Sequence, residues 1–152
     1  MTVKELMKTA VATCAPDSDL GAVVTIMRDR DCGFLPVVDS HGIVVGVVTD
    51  RDVCLAAGTT HRPLARVSVH ETMSHPVFSC FADENVKTVL VTMAKHRTRR
   101  LPVLNKSGHL HGVLSMDDIV QAPHRRGGPT ADDIVAALKA MYAHRAIEVV
   151  PS

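Results

Sequence analysis

Apolar and polar positions along this chain change period in a fixed order, and that order occurs twice. Val11 to Cys14 is a short, partly β-branched stretch ending at Ala15-Pro16-Asp17. Val77 to Cys80 ends in the same way at Phe81-Ala82-Asp83. Each predicts a strand followed by a helix-entry turn. Leu20, Val23, Val24 and Met27 then fall at helical spacing, as do Val86, Val89, Leu90 and Met93. The short apolar runs Phe34–Val38 and Leu101–Leu104 predict strands, each interrupted by a proline that cannot donate to a ladder. Asp39-Ser40-His41-Gly42 and Asn105-Lys106-Ser107-Gly108 have hairpin-turn composition, and Ile43–Thr49 and His109–Ser115 are the returning strands. Asp50–Ala57 and Met116–Ala122 read as closing helices with acidic first turns.

The unit is β-α-β-β-α, written over residues 3–53 and again over 69–119, 66 positions later without a gap. Met7 answers Met73, Cys14 answers Cys80, Gly46 answers Gly112, and Leu35-Pro36-Val37 answers Leu101-Pro102-Val103. A unit of this length is too large for a solenoid repeat and too small for an independent domain, so the copies are expected to fold against each other. The predicted fold class is α+β: two tandem repeats packed with pseudo-twofold symmetry, plus a C-terminal helix. The expected divisions are repeat 1 at 1–57, a connector at 58–68, repeat 2 at 69–122, a linker at 123–129 and an amphipathic helix at 130–144. That helix carries the stripe Ile134, Val135, Leu138, Met141 and Tyr142. Too short to be stable alone, it is expected to dock on a module. Clefts at a pseudo-twofold joint are common ligand sites, which points to small-molecule binding.

Composition narrows the function classes. Seventeen basic and sixteen acidic residues leave a net charge of +1, which gives no broad field for polyanions and argues against nucleic-acid binding. Aromatic residues make up only 3% of the chain, so a purine is expected to sit between aliphatic groups such as Val11, Leu35 and Val48. No signal peptide and no membrane-length apolar run are evident, and the four cysteines form no Cys-x-x-Cys pair. The expectation is a cytoplasmic protein with reduced thiols.

Gly46-Val47-Val48-Thr49-Asp50-Arg51-Asp52 and Gly112-Val113-Leu114-Ser115-Met116-Asp117-Asp118 both follow one pattern: Gly, two apolar residues, Thr or Ser, two variable residues, then Asp. Together with the two Leu-Pro-Val strands and the Asp17 and Asp83 turns, this resembles a pair of CBS domains, a stand-alone Bateman module, from Val3 to Ala122. The resemblance implies a non-enzymatic regulatory module. Its clefts would bind AMP, ADP or ATP as a regulatory ligand, with no required cofactor, and it would signal to an effector protein. It also implies a homodimer. S-adenosylmethionine, NAD and cyclic dinucleotides are the other ligands it suggests.

The same resemblance assigns site residues. Asp52 and Asp118 are expected to accept the two ribose hydroxyls, because one carboxylate holds both well. Thr49 and Ser115, before the closing helices, are phosphate donors or plain N-caps. Arg100 is the expected phosphate partner of the Asp118 cleft, and Phe34 stands in its place in the Asp52 cleft, which would borrow Arg99. Each cleft takes first-strand residues from the other copy: Thr13 and Cys32-Gly33 near Asp118, Ser79 and Thr98-Arg99 near Asp52.

Three other constellations carry less. His109 and His111 alternate on a predicted strand and share a face, a possible start of a zinc site with Cys80 or His75. Cys14 and Cys80 read as small buried residues. No hydrolase triad order, phosphate loop or His-Glu-x-x-His run occurs. The rival readings are a structural interaction protein with empty clefts, a metal or redox sensor, and an enzyme.

Overall fold

The computed structural model describes residues 1–122 and 127–143. The linker expected at 123–129 and the last expected helical residue, His144, lie wholly or partly outside them. The first half runs α1 (Leu20–Asp29), β1 (Phe34–Val38), β2 (Val44–Thr49) and α2 (Asp50–Thr59). The second runs β3 (Cys80–Phe81), α3 (Val86–His96), β4 (Arg100–Leu104), β5 (Leu110–Ser115) and α4 (Met116–Gln121), and α5 (Ala131–Tyr142) follows. Among the described residues, no helix is long and apolar enough to cross a membrane.

Local chemistry sets these boundaries. Asp19 caps α1 by accepting from the Ala22 N–H, and Asn85 caps α3 through the Lys87 N–H. Thr49, Ser115 and Thr130 each close a reciprocal capping box, with Asp52, Asp118 and Asp133 as the returning acids. The hairpin turns rest on Gly42 at φ +79° and Gly108 at φ +82°. Beneath them the Asp39 and Asn105 side chains accept from the His41, Ile43, Ser107 and His109 amides. The stripes of α1 and α3 are buried as expected except at Val24, which is exposed; of the α5 stripe Met141 is buried, Ile134 and Leu138 are half-buried, and Val135 and Tyr142 are exposed.

The strand expected at Val11–Cys14 is reduced to a single parallel bridge between Cys14 and Val37. The Cys14 N–H donates to Pro36 O, and the Val38 N–H to Cys14 O. The next rung would need an N–H on residue 36, and proline has none, so the ladder stops. Pro102 limits the second copy in the same way: β3 pairs with β4 only through Cys80–Val103 and Phe81–Leu104.

The two copies exchange their opening segments. Val3 is fully buried in a core with Val86, Val89, Leu101 and Leu114 of the second copy. Val67 and Val69 are fully buried with Leu20, Leu35 and Val48 of the first. Lys8 bridges to Val113 on β5, and Ser74 bridges to Val47 on β2. Each packed half is therefore assembled from both sequence copies. Ile43 pairs with His109, its own equivalent 66 positions later, which marks the pseudo-twofold. Helix α5 lies on α3 of its own chain, with Ala137 and Met141 buried and Lys87 Nζ 3.6 Å from Asp133 Oδ2.

Candidate functional site

The exchange places two equivalent clefts at the joint. In both halves a non-glycine residue in the left-handed region turns the long helix into the following strand, Asp31 at φ +48° and Arg97 at φ +53°. This turn carries residues 32–34 and 98–100 beneath the starts of the closing helices. Backbone bonds fix the approach: the Asp50 N–H donates to Gly33 O, and the Met116 N–H to Arg99 O.

The first cleft encloses about 400 Å³. Ala10, Val11 and Ala12 line it together with Cys32, Gly33 and Phe34. Ser115, Asp117, Asp118, Val113 and Arg100 complete it, with Lys8, Arg30 and Asp31 at the polar margin. The Asp118 side chain is 9% exposed. Its Oδ2 accepts from the Ser115 N–H and hydroxyl, and its Oδ1 lies 3.3 Å from Lys8 Nζ. Oδ1 is the oxygen not engaged by Ser115, and it faces a lysine whose side chain is 74% exposed.

The second cleft is larger, about 620 Å³, and lined mostly, though not at Asp52 or Val77, by the equivalents 66 residues away of the first cleft's lining. Ser74 replaces Lys8, Phe78 replaces Ala12, His96 replaces Arg30, and Arg51 replaces Asp117. Phe78 and His96 stack with centroids 3.7 Å apart and planes at 19°. Phe34 and Arg100 line both clefts, and Met141 and Tyr142 of α5 reach the second.

Of the expected site residues, Cys32, Gly33, Phe34, Arg100, Ser115 and Asp118 meet in the first cleft, and Thr49, Thr98, Arg99, Gly33, Phe34 and Arg100 in the second. Thr13, Ser79 and Asp52 line neither. Thr13 lies just before the bridge at Cys14 and is exposed. Asp52 Oδ2 is taken by the Thr49 N–H and hydroxyl. Arg100 and Phe34, expected to divide between the clefts, are shared by them. Both hydroxyls offered as phosphate donors, on Thr49 and Ser115, serve as helix caps.

Sequence reasoning missed Lys8, Arg30, Asp31, Phe78, His96 and Tyr142. The expected residues already pair with one another at the 66-residue offset, so the repeat by itself adds none of these. The low aromatic content was misleading about placement: Phe34, Phe78 and Tyr142, three of the four Phe and Tyr residues, line one cleft. His109 and His111 are exposed, and among the described residues no group of three His, Cys, Asp or Glu side chains is placed to hold a metal. Burial pushes the Cys14 thiol up to about 11 and Cys80 to about 12, so both stay protonated near neutral pH.

Two pseudo-symmetric clefts between exchanged repeats, each beneath a Gly-x-x-Thr/Ser-x-x-Asp helix start, agree with the sequence comparison, in which the CBS domain model matches residues 3–58 and 67–125. The chain belongs to the CBS domain family. It is 31% identical over 135 residues to the YlbB protein of Bacillus subtilis (strain 168), covering 87% of this chain and 90% of that one. The fold is similar to the CBS domain pair of protein MJ0100 in complex with 5'-methylthioadenosine and S-adenosyl-L-methionine, at TM-score 0.73 and 24% identity over 80% of this chain and 94% of that one. It is also similar to CBSX2 in complex with AMP, at TM-score 0.70 and 22% identity, over 79% and 93% of the two chains.

Proposed function

We propose that the CBS pair is a regulatory module whose clefts bind adenosine-containing ligands, that the second cleft takes the phosphorylated one, and that occupancy is passed to an effector protein. The observation that carries this reading is the charge difference between equivalent clefts. Arg51, Arg97, Arg99 and Arg100 stand against Asp50 in the second, whereas Lys8, Arg30 and Arg100 are balanced by Asp31, Asp117 and Asp118 in the first. An arginine fork matches phosphate oxygens, and a neutral cleft with an accessible carboxylate suits a ribose carrying no phosphate. The ligands of MJ0100 and CBSX2 support the adenosine part of the reading.

Isothermal titration with adenosine tests the first cleft. Asp118→Ala is expected to weaken adenosine binding about tenfold or more through the lost hydroxyl acceptor, and Asp52→Ala to leave it nearly unchanged. Both changes remove the returning acid of a capping box, so Asp52→Ala controls for the stability effect. Equal binding by Asp118→Ala and the parent would sink the ribose assignment.

The module is also proposed to pair with a second copy. Val24, Leu55, Val91 and Val120 leave one apolar side chain exposed on each of α1 to α4, surface that a twofold pairing of helices would cover. Sedimentation at micromolar concentration is expected to give the dimer mass; a monomer there counts against the pairing.

A further inference from the structure

We propose that α5, the helix outside the repeat, gates the second cleft: Tyr142 occupies Arg99 in the free protein, and a phosphate-bearing ligand takes Arg99 and releases the last turn of the helix. This rests on the reading of that cleft as a nucleotide site. Arg99 Nη1 donates to the Tyr142 hydroxyl at 3.3 Å, and the guanidinium carbon stands 5.9 Å from the centre of the Tyr142 ring. Both residues line the cleft, so the contact spans part of the volume a ligand would fill.

The two partners of Arg99 are unequal. A tyrosine offers one neutral acceptor and a ring face, a weak attachment at an exposed site. A phosphate offers charged oxygens that can take two guanidinium N–H groups at once. The end of α5 adds to the competition. Its terminal carbonyls carry the negative pole of the helix, which complements Arg99 when the cleft is empty and opposes an anion that enters. The two effects have the same sign, so ligand and helix end exclude each other rather than close together. The earlier part of α5 is held on α3 by Ala137 and the Lys87–Asp133 pair, so the change is confined to the last turn, up to Tyr142. A cleft event would thereby be displayed at the C-terminal end, a short and local signal.

The test is titration of the full chain with ATP and with adenosine, in the parent, Tyr142→Ala, Tyr142→Phe, Arg99→Ala and the Arg99→Ala/Tyr142→Ala double variant. Tyr142 is 60% exposed, so its replacement leaves the core intact. Tyr142→Ala is expected to bind ATP about three- to fivefold more tightly than the parent, with Tyr142→Phe between them. Adenosine affinity is expected to stay the same, and the gain to vanish in the Arg99→Ala background. Hydrogen exchange should show ATP lowering the protection of the Met141 and Tyr142 amides. Equal or weaker ATP binding by Tyr142→Ala, or added protection of α5 by ATP, overturns the gate while leaving the nucleotide reading in place. Failure of the parent and Tyr142→Ala alike to bind ATP or adenosine takes down both.

Discussion

Gly112→Ala is expected to lower the free energy of unfolding by about 2–4 kcal/mol, a large loss for one added methyl group. A Cβ at Gly112 would stand 2.5 Å from Lys8 O, a backbone atom. Lys8 is held there by two backbone hydrogen bonds to Val113, each 2.9 Å long, and Val3 and Met7 just before it pack in the second core. Relief requires the exchanged segment to move away, which lengthens both bonds and opens the packing around Val3. Gly46 is the equivalent position, but its added Cβ would meet Met73 Sδ, also at 2.5 Å. A thioether chain can rotate, so Gly46→Ala is expected to cost only about 1 kcal/mol. Gly58 lies inside α2 with no described residue within 4 Å of an added Cβ, and alanine there is expected to add about 0.4–1 kcal/mol. Urea unfolding of the three variants checks the series. Equal midpoints for Gly112→Ala and Gly46→Ala would show that the exchanged segment is not anchored as described.

That contrast marks where the sequence stopped being informative. The helices and hairpins were legible because period, caps and turns agree locally: the strand expected at Phe34–Val38 has those bounds, and α2 extends two residues past its expected end. The two prolines announced a break in each sheet, and the structure adds which rung is lost. The exchange of opening segments was expected at the clefts from the family resemblance alone, and its part in the two cores was not legible. Val3 and Val69 are equivalents with the same apolar pattern, and a repeat that packs on itself reads the same as one that packs on its copy. Pairing geometry, not pattern, separates the two. The clefts were legible at the motif, where Asp118, Ser115 and Arg100 converge, and illegible at their margins. There Lys8, Phe78 and Tyr142 arrive from the exchanged segment, from the stretch before β3 and from the extra helix. Asp52 shows the limit of symmetry: it keeps the capping bonds of Asp118 and lines neither cleft.

Replacing Arg99 and Arg100 together by alanine is expected to weaken ATP binding about 100-fold or more. Each charge-assisted hydrogen bond contributes roughly 1.5–3 kcal/mol, and tenfold in affinity corresponds to about 1.4 kcal/mol. The two side chains follow one another at the start of β4 and both line the second cleft, so a ligand phosphate there meets two forks from one short stretch of backbone. Arg97 and Arg51 remain and keep the local field positive, which is why some binding survives. The loss should be graded by charge: largest for ATP, smaller for AMP and slight for adenosine, because only phosphate contacts are removed. Lysine at both positions is expected to recover part of the ATP affinity, since it restores charge without the planar two-point geometry. Arg99 is exposed, so its share should shrink as added salt screens it, whereas half-buried Arg100 should be less sensitive. Titrations at two ionic strengths separate the contributions. ATP bound as tightly by the double variant as by the parent would remove phosphate from the second cleft altogether.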